Sequence, residues 1–281
     1  GGKGANQACA AGRLTAKDSP RVKMIGRVGQ DVFGDHLKAS LSAAGVDVSF
    51  VHASRSQATG VAFIGVEESG QNSIIVASGA NMDLAAADVE AMRRVFQGAR
   101  VALFQLETPL DTVAAALALA RSEGLTTILD PAPAQPLSSE LLAQVDILTP
   151  NEGEALGLLG LSARRLEVAE APSIAARLRQ RGPRTVIVKL GEQGCFADDG
   201  SQASHYPGYP VKVVDTTAAG DTFNAGLAVA LSEGRDLASA IWFANAAAAL
   251  SVTKAGAQAS APSRAEVDAF LSTTVASPPA P

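Results

Sequence analysis

In the last third of the chain, Asp215-Thr216-Thr217-Ala218-Ala219-Gly220-Asp221-Thr222-Phe223-Asn224 follows the apolar pair Val213-Val214 and leads into an alanine-rich stretch. The string predicts a strand end, a tight turn of small residues and a helix over Ala219–Ser232. The first N–H groups of a helix have no partner within it. Those of Ala219, Gly220 and Asp221 are therefore expected to face outward at the positive end of the helix dipole, where an anion such as a phosphate binds. The small side chains, Ala218 among them, let that anion come close to the backbone. Asp221 then stands where an alcohol attacking the phosphorus would give up its proton. An Asp at a helix start is by itself an ordinary first-turn carboxylate; the whole string makes it a candidate base.

Other carboxylates sit at strand ends. Glu107 closes the apolar run Val101–Leu106 just before Thr108 and Pro109, which read as a helix N-cap and first helical position. The carboxyl end of a parallel strand is where α/β sheets hold ligands. Asn151-Glu152-Gly153-Glu154 has the spacing of a capping box, Asn151 at the N-cap and Glu154 three residues on. Lys189-Leu190-Gly191-Glu192-Gln193-Gly194 reads as a glycine-bounded turn between two strands. Gly2-Lys3 is followed by Gly4, where a phosphate-binding P-loop needs Ser or Thr for its metal, and no GxGxxG follows a strand, so both common nucleotide fingerprints are missing.

The elements that must position these residues alternate. Short β-branched runs fall at Val22–Ile25, Val101–Leu106, Thr126–Asp130, Ile147–Thr149, Thr185–Lys189 and Cys195–Asp198. Helical patterns lie at Val32–Ala44, Ala85–Phe96, Asp111–Glu123, Ser138–Val145 and Ile174–Arg181, with Ala219–Ser232, Leu237–Val252 and Ser263–Ser272 beyond. Strands spaced by helices predict an α/β fold, a doubly wound and mostly parallel sheet covered on both faces. Thr59–Glu67 and Asn72–Ala77 have no helix between them and predict a hairpin turning at Glu68–Gln71, a flap over the sheet edge. The tail Ser277–Pro281 reads as frayed.

Composition narrows the function classes. A chain of 281 residues, 47% hydrophobic and 18% charged, is long enough for one large core. The net charge of −5 comes without a basic cluster, against a nucleic-acid or membrane surface. The longest apolar stretch, Ile241–Val252, is too short to cross a bilayer. Cys9 and Cys195 stand apart and read as reduced thiols, in keeping with a cytoplasmic protein; His36, His52 and His205 are scattered, against a zinc site.

Taken with Gly1-Gly2-Lys3-Gly4-Ala5-Asn6-Gln7-Ala8, the Asp215–Asn224 string resembles the paired signatures of the ribokinase (PfkB) family of carbohydrate kinases. Thr59-Gly60-Val61, Gly79-Ala80-Asn81, Leu106–Pro109, Pro131–Ala134, Thr149–Glu154 and Gly256-Ala257-Gln258 carry the likeness along almost the whole chain. The family segment that usually precedes the first signature, with its Asn-x-Asp sugar motif, is not in this sequence, so 1–281 is expected to be one kinase domain lacking that segment, with a lid hairpin at about 57–78.

The resemblance implies transfer of the γ-phosphoryl group of ATP to the primary hydroxyl of D-ribose. The sibling readings are a deoxyribose, fructose or nucleoside kinase, and a degenerate sugar- or ATP-binding regulator is the reading from another class. It further implies Asp221 as base with Gly220, Ala219 and Ala218 at the anion hole. Gly2, Lys3, Asn6, Glu107 and Asp221 would contact the sugar, Lys3 and Asn6 from a glycine-rich loop. Asn151, Lys189, Gly191, Gly194, Gly220 and Asn245 would contact the nucleotide. Mg²⁺ would be reached by Glu154 through water, and a monovalent cation (K⁺) would lie near Asp215, Thr217, Ser251, Lys254, Gly256 and Ser260, mainly on backbone carbonyls. Members of the family commonly dimerise through their lids.

Overall fold

The computed structural model describes residues 2–16, 19, 21–66 and 72–274. In chain order these form α1 Lys3–Leu14, β1 Gly26–Val28, α2 Val32–Ala43, β2 Val51–Ala53, β3 Val61–Val66, β4 Asn72–Ala77, α3 Ala86–Ala91, β5 Val101–Phe104, α4 Leu110–Ser122 and β6 Thr126–Leu129. There follow α5 Ser139–Leu142, β7 Ile147–Leu148, α6 Glu152–Leu158, α7 Ala171–Arg179, β8 Thr185–Lys189, β9 Cys195–Asp198, β10 Ala203–Tyr206, α8 Ala219–Ser232, α9 Leu237–Ser251 and α10 Arg264–Thr273.

The main sheet has the order β10-β9-β8-β7-β6-β5. β5 to β8 run parallel, and β9 and β10 are added antiparallel at one edge. Neighbouring residues of a strand point to opposite faces, and the middle strands are apolar on both. Ile128, Ile147 and Ile187 pack on one face with Leu14 of α1, Phe223 and Leu227 of α8 and Phe243 of α9. Leu129, Leu148, Val186 and Val188 pack on the other with Leu117 of α4, Leu142 of α5, Leu156 of α6 and Leu178 of α7. The expected doubly wound, mostly parallel sheet is present. No helix among the described residues is long and apolar enough to cross a membrane.

Several elements depart from the expectations. The segment 2–6 is the start of α1 rather than a loop. The run Ala8–Leu14 is rich in strong helix formers, and it carries Lys3 and Gly4 into its first turn. Val22–Ile25 makes only a single bridge, Lys23 to Asp47; regular pairing begins at Gly26, where β1 runs parallel to β2 in a separate two-stranded sheet. The Val213-Val214 strand end does not form: both side chains are exposed, and the segment is tied instead by the N–H groups of Val214 and Asp215 to the carbonyl of Val252. Pro109 is the N-cap of α4, one residue later than expected. The Ala85–Phe96 pattern gives α3 and then a short 3-10 turn at Arg93–Val95. The edge strands β2 and β10 were not foreseen.

The hairpin is β3 and β4, antiparallel from Val61↔Ala77 to Val66↔Asn72; its turn at 67–71 and the tail after 274 lie outside the described residues. Asp31, the N-cap of α2, clasps its foot. One Asp31 oxygen accepts from the Gly34 N–H at 2.9 Å and the Thr59 hydroxyl at 2.7 Å, and the other from the Thr59 N–H at 2.8 Å. A side chain on Gly79 (φ +49) would clash with the Ala58 carbonyl, so the two segments below the hairpin can approach this closely only at glycine.

Candidate active site

Residues just beyond the carboxyl ends of β5, β6 and β8 meet the first turns of α1 and α8. Ala218, the N-cap of α8, takes the left-handed conformation (φ +61) and has no side chain with which to cap the helix. The Ala219 N–H, expected to be free, donates to the Thr216 carbonyl at 3.2 Å, because the turn folds back on itself. Among the described residues the N–H groups of Gly220 and Asp221 reach no acceptor, so the turn leaves two backbone donors open to an anion.

Asp221 is 6% exposed in the first turn of α8. Its Oδ2 accepts from Asn6 Nδ2 at 3.0 Å and its Oδ1 from Gln7 Nε2 at 2.9 Å. Burial pushes its carboxyl above the usual aspartate range, while the two amides and the Lys3 ammonium pull the other way. An ionised carboxylate here is poised to take a proton.

The N-terminus of α1 closes the opposite wall. The Lys3 N–H donates to Glu107 Oε2 at 2.7 Å, a carboxylate placed at the positive end of the helix. Burial raises the Glu107 pKa, and Lys3 opposes the rise. A side chain on Gly2 would lie 2.6 Å from that same Glu107 oxygen, so the close approach requires the missing Cβ. The spacing of the small residues at the chain start thus serves a helix terminus, not a wrapping loop.

The structure adds three partners that the sequence does not single out as candidates: Gln7 and Asp130, both buried, and the half-buried Gln105. Gln7 Nε2 bridges Asp221 and Asp130, reaching Asp130 Oδ2 at 2.8 Å. Gln105 donates to Gln7 Oε1. The other oxygen of Asp130, itself 2% exposed, takes an ion pair from Lys189 Nζ at 3.0 Å. Gln7 lies four residues after Lys3, on the same helix face, and that spacing is the one sequence signal for its place at the site.

The α6 capping box forms as expected. Glu154 Oε2 accepts from the Asn151 N–H at 2.8 Å, Glu154 Oε1 from Asn151 Nδ2 at 2.9 Å, and Asn151 Oδ1 from the Glu154 N–H at 2.8 Å. Burial raises the Glu154 pKa, and Lys189 opposes it. Among the described residues no three His, Cys, Asp or Glu side chains gather closely enough to hold a metal ion. A carboxylate already committed on both oxygens fits contact with a divalent cation through a bridging water better than direct ligation.

Gly191 and Gly194 (φ +58 and +85) frame the turn between β8 and β9, and a side chain on Gly194 would meet the Tyr206 carbonyl at 2.1 Å. The His205 ring holds the turn by Nε2 at 2.7 Å from the Gln193 carbonyl. Asn245 lies apart from the Asp221 cluster: buried on α9, it faces the Tyr206 carbonyl at 3.4 Å and the Cys195 thiol. Both cysteines are buried and free.

Behind the turn, Asp215 links two loops, accepting from the Thr217 N–H at 2.9 Å and the Gly256 N–H at 2.8 Å. The Ser251 and Ser260 hydroxyls donate to the Ala248 and Ala257 carbonyls, and the Lys254 ammonium pairs with Glu266. The carbonyls of Asp215, Thr217, Gly256 and Ser260 accept no hydrogen bond among the described residues. The free donors to a cation are thus backbone oxygens, a set that fits a weakly held monovalent ion.

The family model described as pfkB family carbohydrate kinase matches residues 1–264. This chain belongs to that family. A ribokinase of Haemophilus influenzae is 43% identical over 274 residues, covering 96% of this carbohydrate kinase and 87% of the relative. A deoxyribokinase of Salmonella typhi is 34% identical over 273 residues, covering 97% and 87%. The structure of Arabidopsis thaliana ribokinase complexed with ribose and ATP aligns at a TM-score of 0.87 and 33% identity, over 98% of this kinase and 88% of that chain.

Proposed function

We propose that this kinase transfers the γ-phosphoryl group of ATP to the primary hydroxyl of D-ribose, giving ribose 5-phosphate and ADP. The observation that carries the reading is the meeting of Asp221 with Asn6 and Gln7 at the open start of α8, in a chain whose relatives include a ribokinase held with ribose and ATP. Lys3, Asn6 and Glu107 orient the sugar so that its hydroxyl faces Asp221. Asp221 accepts the proton, and the Gly220 and Asp221 N–H groups hold the charge on the transferring group. Ala218 shapes the corner, and Ala219 braces it through Thr216. The Lys189–Gly194 turn, with Asn151, borders the nucleotide, and Asn245 supports that turn from below. Phosphoryl transfer of this kind depends chiefly on positioning and electrostatics.

Mg²⁺ would neutralise the phosphates when bound, and Glu154 would reach it through a water. K⁺ would sit on the free carbonyls of Asp215, Thr217, Gly256 and Ser260, beside Ser251 and Lys254, and stiffen the turn from behind. A dimer through the hairpin suits its exposed Phe63, Ile75 and Val76. The deciding experiment measures ADP release with D-ribose, 2-deoxyribose, fructose and a nucleoside. Ribose should give the highest kcat/KM; a preference for deoxyribose makes the chain a deoxyribokinase, and sugar binding without turnover makes it a regulator.

A further inference from the structure

We infer that Lys189 is a second catalytic group of this kinase: its ammonium meets the phosphoryl group in passage, and Asp130 and Gln7 hold it in register with Asp221. The inference rests on the phosphoryl-transfer reading above. Lys189 is the last residue of β8, and its backbone is fixed on both sides. Its N–H donates to the Pro150 carbonyl at 2.8 Å, and it pairs with Cys195 of β9. The side chain is 12% exposed. Nζ spends one of its three donors on Asp130. A Cβ built on Gly220 would lie 3.4 Å from that Nζ, so the ammonium stands against the residue whose free N–H forms the anion seat.

Charge explains why a lysine is needed there. Asp221, Glu107, Asp130 and Glu154 lie within electrostatic reach of one another, with Lys3 and Lys189 as the side-chain cations acting on them. Four carboxylates against two ammoniums would repel an incoming polyphosphate unless one cation faces it. Burial opposes the charge on Lys189, yet Asp130, Glu154 and Asp221 together raise its pKa, so it stays an ammonium. A buried ion pair adds little stability over an apolar pair of the same size, which leaves the pair without a purely structural reason. The relay Lys189–Asp130–Gln7–Asp221 is continuous, with links of 3.0, 2.8 and 2.9 Å. It sets the ammonium and the base on either side of one reacting centre.

In the step itself the sugar oxygen bonds to the γ-phosphorus and its proton passes to Asp221. The bond from phosphorus to the bridging oxygen breaks, and its electron pair leaves on ADP. Lys189 keeps its protons throughout and donates hydrogen bonds to the non-bridging oxygens. Removing one such donor costs about 10²–10³ in rate.

Lys189→Met keeps the length and removes the charge; Asp130→Asn with Lys189→Met also removes the carboxylate left unpaired. Both variants should show kcat for ribose down by about 10²-fold. Calorimetry should show AMP-PNP binding weakened about tenfold, the share of a single charged contact, while ADP binding stays near that of the wild type. If the double variant recovers near-wild-type kcat, the lysine is only the counter-ion of Asp130 and the proposal falls. It falls equally if ADP and AMP-PNP weaken alike. Should the single variant fail to fold, the double variant, which has no orphaned charge, supplies the same readings. If the wild type does not turn over ribose, the substrate reading fails on its own, and the AMP-PNP to ADP comparison still decides Lys189.

Discussion

The helices α6 and α8 both begin at the site and both carry an acidic residue in the first turn, yet their starts are built in opposite ways. At α6, Asn151 and Glu154 satisfy each other and the local N–H groups. At α8, Ala218 offers no cap, the backbone turns through a left-handed residue, and two N–H groups stay open. A helix start that caps itself is finished as structure, and its carboxylate can act on a ligand only at one remove. A start left uncapped keeps its donors and its carboxylate for the ligand.

Removing the base should break the contrast most severely. Asp221→Asn is expected to lower kcat by about 10²–10⁴-fold, the range for loss of a general base, with ribose and ATP affinities little changed; near-normal turnover would remove Asp221 from the mechanism. Replacing Na⁺ by K⁺ at constant ionic strength should raise the rate, because the Asp215 loops brace the α8 turn and not the α6 one. Equal rates in the two salts, with screening held constant, would discard the cation site.

Stability should move in the opposite sense to activity. The folded-state pKa of Asp221 is raised by burial above the ordinary 3.8. The folded protein therefore binds this proton more tightly than the unfolded chain does, and at neutral pH the charged carboxylate opposes folding. Asp221→Asn should raise Tm at pH 7. The gain should shrink as pH falls through the raised pKa and vanish below the unfolded value. A Tm advantage that does not depend on pH would refute the linkage. The same raised pKa places the acid limb of kcat/KM above 3.8.

Smaller effects sharpen the comparison from the capped side. Asn151→Ala removes the reciprocal cap and should cost about 1 kcal/mol in denaturant unfolding. Ala218→Gly relieves a left-handed alanine and should gain about 0.5–1 kcal/mol, the difference between the strain it removes and the chain entropy it adds. If both changes proved neutral, the two helix starts would not differ in the way described.

Much of this was legible along the chain. β8, β9 and α8 lie at the expected residues, because a continuous apolar run and an alanine-rich stretch behind a small-residue turn are local signals. The Asn151–Glu154 box needs only four residues and was equally plain. The start of α1 was misread because its glycines look like a loop until Glu107, more than a hundred residues away, caps them. The Gln7 bridge joins residues 123 and 214 positions apart and leaves no periodic trace. Asp130 read as a strand end, its pairing with Lys189 being set by two strands that are neighbours only through β7.

In mechanical terms the Asp31 clasp is a bearing. It grips Thr59 before the first paired residue, Val61, so β3 and β4 form a lever whose fulcrum lies outside the ladder itself. The Asp31 carboxylate shares that foot with the Gly29 N–H, which donates to the Thr59 hydroxyl, and with the Ala80 N–H, which donates to the Ala58 carbonyl, so the hairpin is moored outside its own ladder. Asp31→Ala would remove three of these ties without touching a single rung.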